Sequence, residues 1–278
     1  MKKQNVNISL IQFESILADT AANTARAVQF CTEAAEHESD IICLPEMFST
    51  GYNLDMIGKK IPHMAQKSDG ETITALQEIS RRWGCCIIVP IVLEKELRGL
   101  FYNSAVILED GHIIGIYDKN HLWAQEKFFF CRGDDYPVFQ TKYGKIGVMI
   151  CRDAGYPEAA RILTLCGAEI IFCPAAWRSQ DIYMWDINLR QRALENNLFV
   201  AGVNRYGHEG ELYMCGDSKI VDPLGKVIAQ LADEADKILY AQLDLSAIER
   251  SRAYVMYLQD RRPEQYSILC KRNPYCGI

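Results

Sequence analysis

Short apolar runs alternate along most of the chain with stretches in which apolar residues return every three or four positions. The runs predict strands over residues 6–13, 41–44, 85–93, 145–151, 169–173, 198–203, 212–221, 226–229 and 238–243. Helical spacing predicts a helix over 20–37, with Ala21, Ala25, Val28 and Ala35 on one face and Asp19 or Thr20 as its cap. Further helices are predicted over 71–83, closed by Gly84, and over 157–166, with Pro157 at its start and Gly167 at its end. Another spans 181–197, with Ile182, Trp185, Leu189 and Ala193 on one face, and a short one starts at Ser246. Residues 101–108 and 112–117 read as a hairpin across Glu109-Asp110-Gly111. Residues 122–143 lack either period and predict a long irregular loop, a feature that is uncommon in compact domains and usually functional.

Strands and helices that alternate from end to end imply an α/β fold with helices outside the sheets. The 278 residues fit one domain over 1–260, followed by a polar, irregular extension over 261–278 that packs on its own domain or on a partner. Hydrophobic residues make up 49% and charged residues 24%, as in an ordinary globular protein. The formal charge of −6 offers no basic field for nucleic acid or an anionic membrane. No apolar run reaches the length of a membrane span, and none follows the N-terminus as a secretory signal would require. The 11 cysteines, Cys276 among them, form no CxxC pair and no Cys/His cluster with zinc spacing. An odd number of thiols, several inside apolar strands, fits a reducing, cytoplasmic setting.

Three polar residues stand directly after predicted strands. Cys151 ends the run Lys145-Ile-Gly-Val-Met-Ile-Cys151 and precedes a tight turn and a helix opening on Pro157. A free cysteine is by default a small buried hydrophobe. Here, however, the backbone N–H groups and positive dipole end of the following helix favour a thiolate. Glu46 follows Ile41-Ile-Cys-Leu-Pro45, where desolvation raises a carboxylate towards general-base range; alone, it would read equally as the cap of the next turn. Lys119 ends Ile113-Ile-Gly-Ile-Tyr-Asp118 and would alone read as a solvated lysine. Sites in open α/β sheets assemble at strand carboxyl ends, so the three together form a constellation. The carboxylate takes the thiol proton, the sulfur attacks an electrophilic carbon, and the ammonium stabilises the negative atom that develops.

The order Glu46, Lys119, Cys151, with its flanks, resembles the nitrilase superfamily of carbon–nitrogen hydrolases. The matching segments are Leu44-Pro45-Glu46, Tyr117-Asp118-Lys119-Asn120-His121-Leu122 and Gly147-Val-Met-Ile-Cys151-Arg-Asp153, the last with Pro157-Glu158 and Arg161. Arg192-Ala-Leu-Glu195-Asn196-Asn197, Gly216-Asp217-Ser218 and Asp222-Pro-Leu-Gly225 extend the match, which runs from about residue 5 to about residue 245. The resemblance implies a four-layer α-β-β-α sandwich with mixed sheets. It also implies no metal or organic cofactor, and a homodimer or higher homo-oligomer paired through the helices over 157–167 and 181–197. It assigns Glu46 as general base, Cys151 as nucleophile and Lys119 as oxyanion stabiliser, with the Arg152 backbone N–H as second oxyanion donor. Glu126, in the loop after the lysine, matches a further family glutamate that orients the lysine or the substrate.

Pocket walls are expected from Tyr52, Arg152, Trp177 and Arg178. The Arg152 side chain either enters the pocket and favours an anionic or strongly polar substrate, or pairs with an acidic side chain of a neighbouring helix. Arg178 either receives a carboxylate bidentately or forms a surface or dimer ion pair. His121 reads as a loop-ordering residue. The expected substrate is a small linear amide, cleaved through a thioester with release of ammonia; an N-carbamoyl amine or amino acid is the alternative. Nitriles come third, because the residues after Cys151 do not resemble the Trp-Glu pair of true nitrilases. A catalytically silent binding protein is the remaining reading.

Overall fold

The structure, a computed structural model, describes residues 3–271; Cys276 and the end of the predicted extension lie outside the described residues. The first half of the chain runs β1 (Asn5–Gln12), α1 (Thr20–Glu36), β2 (Ile41–Cys43), α2 (Leu54–Ile57), α3 (Ile61–Met64), α4 (Glu71–Trp83), β3 (Cys86–Glu94), β4 (Phe101–Glu109), β5 (His112–Asp118) and α5 (Glu126–Phe129). The second half runs β6 (Val138–Thr141), β7 (Gly144–Val148), α6 (Pro157–Leu165), β8 (Ile170–Ala175), α7 (Ile182–Asn196), β9 (Phe199–Asn204), β10 (Tyr206–Glu209), β11 (Leu212–Cys215), β12 (Ser218–Val221), β13 (Val227–Leu231), β14 (Lys237–Asp244) and α8 (Ser246–Val255).

Local chemistry accounts for the element boundaries. Asp19, not Thr20, caps α1, its Oδ1 accepting the Ala22 N–H at 3.0 Å. Asp110 and Gly111 both take positive φ, 51° and 78°, as the two central positions of a tight hairpin turn with primed geometry require. Three expectations are corrected. The loop over 122–143 contains the turn of helix α5 and the edge strand β6, both too short to show a period. The run over 212–221 is two strands, because Gly216 and Asp217 break it with positive φ. The segment before Lys67 carries the short helices α2 and α3, which no periodicity announced.

Two six-stranded sheets form, in the orders β14-β1-β2-β3-β4-β5 and β13-β12-β9-β8-β7-β6. Each has three parallel central strands, β1-β2-β3 and β7-β8-β9, flanked by antiparallel neighbours, so both are mixed. Period-two alternation then builds the layers. In β2 and β3, Ile41, Cys43, Cys86 and Ile88 face the second sheet, whereas Ile42, Leu44, Ile87 and Val89 pack with Ala27, Cys31, Ile73 and Leu76 of α1 and α4. On the far side, α6 and α7 cover the second sheet through Ala159, Leu163, Trp185 and Leu189. The result is the expected α-β-β-α sandwich.

The described part of the C-terminal extension forms two short turns, with Tyr266 and Leu269 beside Pro157 and Arg161 of α6. Close packing of α7 on the second sheet depends on Gly202 in β9. A Cβ there would stand 2.4 Å from Leu189 Cδ1 and 2.7 Å from Trp185 Cζ2. Gly202→Ala is therefore expected to destabilise the fold by about 1–3 kcal/mol through overpacking. Urea unfolding monitored by circular dichroism measures it; an unchanged midpoint would show that the contact relaxes freely.

Candidate active site

The strand directions bring the predicted residues together. β5 is reached from β3 by two antiparallel steps, so β5 runs with the parallel strands of its sheet. Glu46 after β2 and Lys119 after β5 consequently leave the same edge of the first sheet, while Cys151 after β7 and Ala176 after β8 leave one edge of the second. β4 runs the opposite way, which brings Asn103, near its start, to that edge of the first sheet.

At the centre is a buried cluster. Glu46, Lys119 and Glu126 have no solvent exposure. Lys119 Nζ donates to Glu46 Oε1 at 2.6 Å and to Glu126 Oε1 at 2.7 Å. Asn103 Nδ2 reaches the same two oxygens at 2.8 and 3.2 Å, and the Tyr52 hydroxyl donates to Glu126 Oε1 at 2.8 Å. The remaining oxygens are also used: Ala176 N–H donates to Glu46 Oε2 at 2.8 Å, and Trp123 N–H to Glu126 Oε2 at 2.7 Å. Burial works against the Lys119 charge, but the carboxylates of Glu126 and Glu46 outweigh it and hold the proton on the ammonium more tightly than usual. Burial pushes the Glu126 carboxyl up, with Lys119 opposing and the negative Glu46 adding to the rise.

Cys151 sits at the cavity floor, 8% exposed, in a left-handed conformation with φ 48°. The turn it opens is fixed from beneath by Asp153, a fully buried carboxylate. Asp153 Oδ2 accepts from the Tyr117 hydroxyl at 2.6 Å and from Ile150 N–H at 2.9 Å. Its Oδ1 accepts from His121 N–H at 2.9 Å and lies 2.8 Å from His121 Nδ1. His121 thus orders the loop after Lys119, and its ring stacks on Tyr156 with centroids 3.6 Å apart.

The helix start expected to favour a thiolate is set against burial and charge at this position. A 3₁₀ turn opens at Cys151 and runs to Gly155, and α6 begins only at Pro157. Burial pushes the thiol well up, Glu46 adds to the rise, and Lys119 only partly opposes it. Burial and Glu46 thus disfavour the thiolate, and Lys119 favours it.

Above Cys151 lies a cavity of about 390 Å³, and all four predicted wall residues, Tyr52, Arg152, Trp177 and Arg178, line it. The Tyr52 backbone N–H is held by Glu209 Oε2 at 2.8 Å, and Glu209 is itself paired with the buried Arg205. Trp177 packs on Trp185 with centroids 5.5 Å apart. Arg178 pairs with Asp181, and its guanidinium lies 4.7 Å over the Trp123 ring. Arg152 lines the cavity, and its side chain has no ion pair or hydrogen bond among the described residues.

Sequence reasoning missed Asn103, Trp123, Asp153 and Glu209. Asn103-Ser104 interrupting the apolar run Phe101–Glu109 was a usable signal, since a polar pair inside a buried strand needs partners. Glu209 carried none, because its role depends on contacts distant in sequence, and Asp153 lay in a family-matching segment without a role being assigned to it.

With the thiol pushed up, labelling of Cys151 by iodoacetamide is expected to rise about tenfold per pH unit. The rise should continue past the ordinary thiol value of 9.0. Peptide mass spectrometry isolates Cys151 from the exposed Cys166 and Cys270. A plateau at lower pH would mean a preformed thiolate.

A family model for carbon–nitrogen hydrolases matches residues 7–253. The chain is 33% identical over 290 residues to an N-carbamoylputrescine amidase of Solanum tuberosum, covering 96% of each chain. It is 30% identical over 277 residues to an omega-amidase, NIT2, of Xenopus tropicalis, covering 96% of this chain and 98% of that one. The crystal structure of Nit3 from Saccharomyces cerevisiae, a member of branch 10 of the nitrilase superfamily, superposes with a TM-score of 0.86 at 28% identity, covering 94% of this chain and 98% of that one. Two mixed sheets carrying a buried glutamate–lysine–glutamate cluster beside a cysteine, and a family match across most of the chain, place this protein among the carbon–nitrogen hydrolases of the nitrilase superfamily.

Proposed function

We propose that the protein is a thiol-dependent amidohydrolase of small linear amides. The observation that carries the reading is a buried Cys151 that lies within the charge field of Glu46, a carboxylate hydrogen-bonded to the buried ammonium of Lys119. Glu46 takes the Cys151 proton as the sulfur attacks the amide carbon. The oxyanion that forms is stabilised by the Lys119 ammonium and the Arg152 backbone N–H. Glu46 returns the proton to the leaving nitrogen, the C–N bond breaks, ammonia departs and a thioester remains. Water then attacks the thioester carbon, giving a proton to Glu46. The thiol leaves, recovers that proton, and the carboxylic acid is released. Glu126 holds Lys119 between the two carboxylates throughout.

The second reading, cleavage of an N-carbamoyl compound with release of ammonia and carbon dioxide, has support from the relative named N-carbamoylputrescine amidase. A cationic substrate suits the present cavity poorly, because Arg152 faces it without a carboxylate partner. N-carbamoyl amino acids are the form of this alternative that fits.

No helix among the described residues is long and apolar enough to cross a membrane. A cytoplasmic homodimer is our reading of the assembly. Ile162 and Leu165 on α6 and Tyr183 and Ile187 on α7 are exposed apolar side chains on adjacent helices, as a paired surface requires. Sedimentation should give twice the monomer mass, and Ile187→Glu should shift it towards monomer; a monomeric parent chain would refute the pairing.

Cys151→Ala is expected to abolish ammonia release from small amides. Glu46→Gln should lower kcat by about 10²–10⁴-fold. Mass spectrometry after quenching with a slow amide should find the acyl adduct on Cys151. Activity surviving in Cys151→Ala, or an adduct on another cysteine, would overturn the mechanism.

A further inference from the structure

Tyr52 joins the buried cluster through its hydroxyl, but its place is set from its backbone. The Tyr52 and Asn53 N–H groups both donate to Glu209 Oε2, at 2.8 and 2.7 Å, and Asn53 Nδ2 donates to the Glu209 carbonyl at 2.6 Å. Glu209 ends β10, in the β10–β11 hairpin that lies outside both six-stranded sheets. Its other carboxylate oxygen, Oε1, accepts from Arg205 Nη2. Both side chains are buried, and Arg205 Nε and Nη1 have no hydrogen-bond partner among the described residues.

A buried ion pair that leaves two donors open is a poor source of stability. What it supplies is a carboxylate in a fixed position. One oxygen is held by a cation, and the other accepts from two consecutive backbone N–H groups. The approach is close: Gly51 has φ 83°, and a Cβ there would stand 3.0 Å from Glu209 Oε1. The hairpin is rooted beside the site, because Arg205 N–H donates to Ala175 O at 3.1 Å and the next residue, Ala176, donates its N–H to Glu46. At the far end of the path, the Tyr52 hydroxyl donates to Glu126 Oε1, the oxygen that also accepts from Lys119. Arg205, Glu209, Tyr52, Glu126 and Lys119 thus form one continuous line of buried residues.

We propose that Glu209, held by Arg205, is a positioning residue for hydrolysis. By fixing the Tyr52 backbone it keeps the Tyr52 hydroxyl on Glu126, and so keeps the Lys119 ammonium where the oxyanion develops. The effect on rate rests on the amidohydrolase reading; the effect on the Tyr52–Glu126 bond does not. An amide cannot replace this carboxylate. Glu209→Gln has one acceptor oxygen, so either Arg205 or the Tyr52 and Asn53 N–H groups must face an NH2 group.

A double-mutant cycle of Glu209→Gln and Tyr52→Phe on the full chain, with propionamide as substrate, tests the proposal. Glu209→Gln alone should lower kcat by about 10–100-fold, with a much smaller change in KM. Added to Tyr52→Phe, which already lacks the hydroxyl, it should cost less than about twofold more. Losses that multiply would show a general structural role and overturn the proposal, as would an unchanged kcat in Glu209→Gln. Circular dichroism checks folding; if Glu209→Gln does not fold, Glu209→Asp, too short to span both partners, replaces it in the cycle with the same outcomes. A crystal structure of the folded variant reads the bond without turnover. Tyr52 Oη should leave Glu126 Oε1, and a separation kept at 2.8 Å would overturn the proposal. A parent chain inactive on propionamide and other small amides would sink the amidohydrolase reading, and that separation would then decide the positioning alone.

Discussion

Everything at the centre of this molecule depends on one buried ammonium. Lys119 Nζ is shared between Glu46 and Glu126, and none of the three side chains touches solvent. Such a cluster is expensive to desolvate, and removing one member leaves the others uncompensated, a larger loss than the cluster's net stabilisation. Its geometry is therefore set by surrounding donors rather than by Coulomb attraction alone. Asn103 donates to one oxygen of each carboxylate, while Tyr52 and the N–H groups of Trp123 and Ala176 each fix one carboxylate oxygen. A carboxylate pinned at both oxygens has one orientation.

The donors come from both sheets, which makes the seam between them part of the site. Glu46 leaves the first sheet and receives Ala176 N–H from the second. Tyr117 of the first sheet donates to Asp153, which shapes the turn after β7. Farther along the seam, the Ser218 hydroxyl donates to Gln12 Oε1 at 2.9 Å. An apolar interface alone would tolerate small slips between sheets; these directional bonds do not. The period-two pattern that buries Ile41, Cys43 and Ile88 between the sheets supplies the adhesion, and the polar bonds supply the register.

That division explains what was legible in the sequence. The alternation of strands and helices, and Glu46, Lys119 and Cys151, could be read because periodicity and strand ends are local properties; the four layers came from the family resemblance. Glu126 came from the family resemblance rather than from its irregular surroundings. The long loop concealed α5 because four residues cannot display a helical period. Asn103 left a mark, a polar pair inside an apolar strand, but not the identity of its partners, which lie in distant segments, as do those of Asp153. The balance at Cys151 is a related case: the sequence shows a helix nearby, but not the intervening turn or the depth of burial that pushes the thiol up. The direction of Arg152 was equally undetermined until the cavity it lines was visible.

Cys151 adopts a φ of 48°, a conformation that costs a side-chain-bearing residue of order 1 kcal/mol and that glycine accepts freely. Stability and chemistry consequently pull in opposite directions at this one position. A chain freed from any demand for catalysis would shed this local cost by exchanging the whole side chain for hydrogen, as in glycine. The thiol's retention, against a standing conformational cost, marks the position as one where the fold is held slightly uphill by its neighbours, above all by the carboxylate of Asp153 locking the turn.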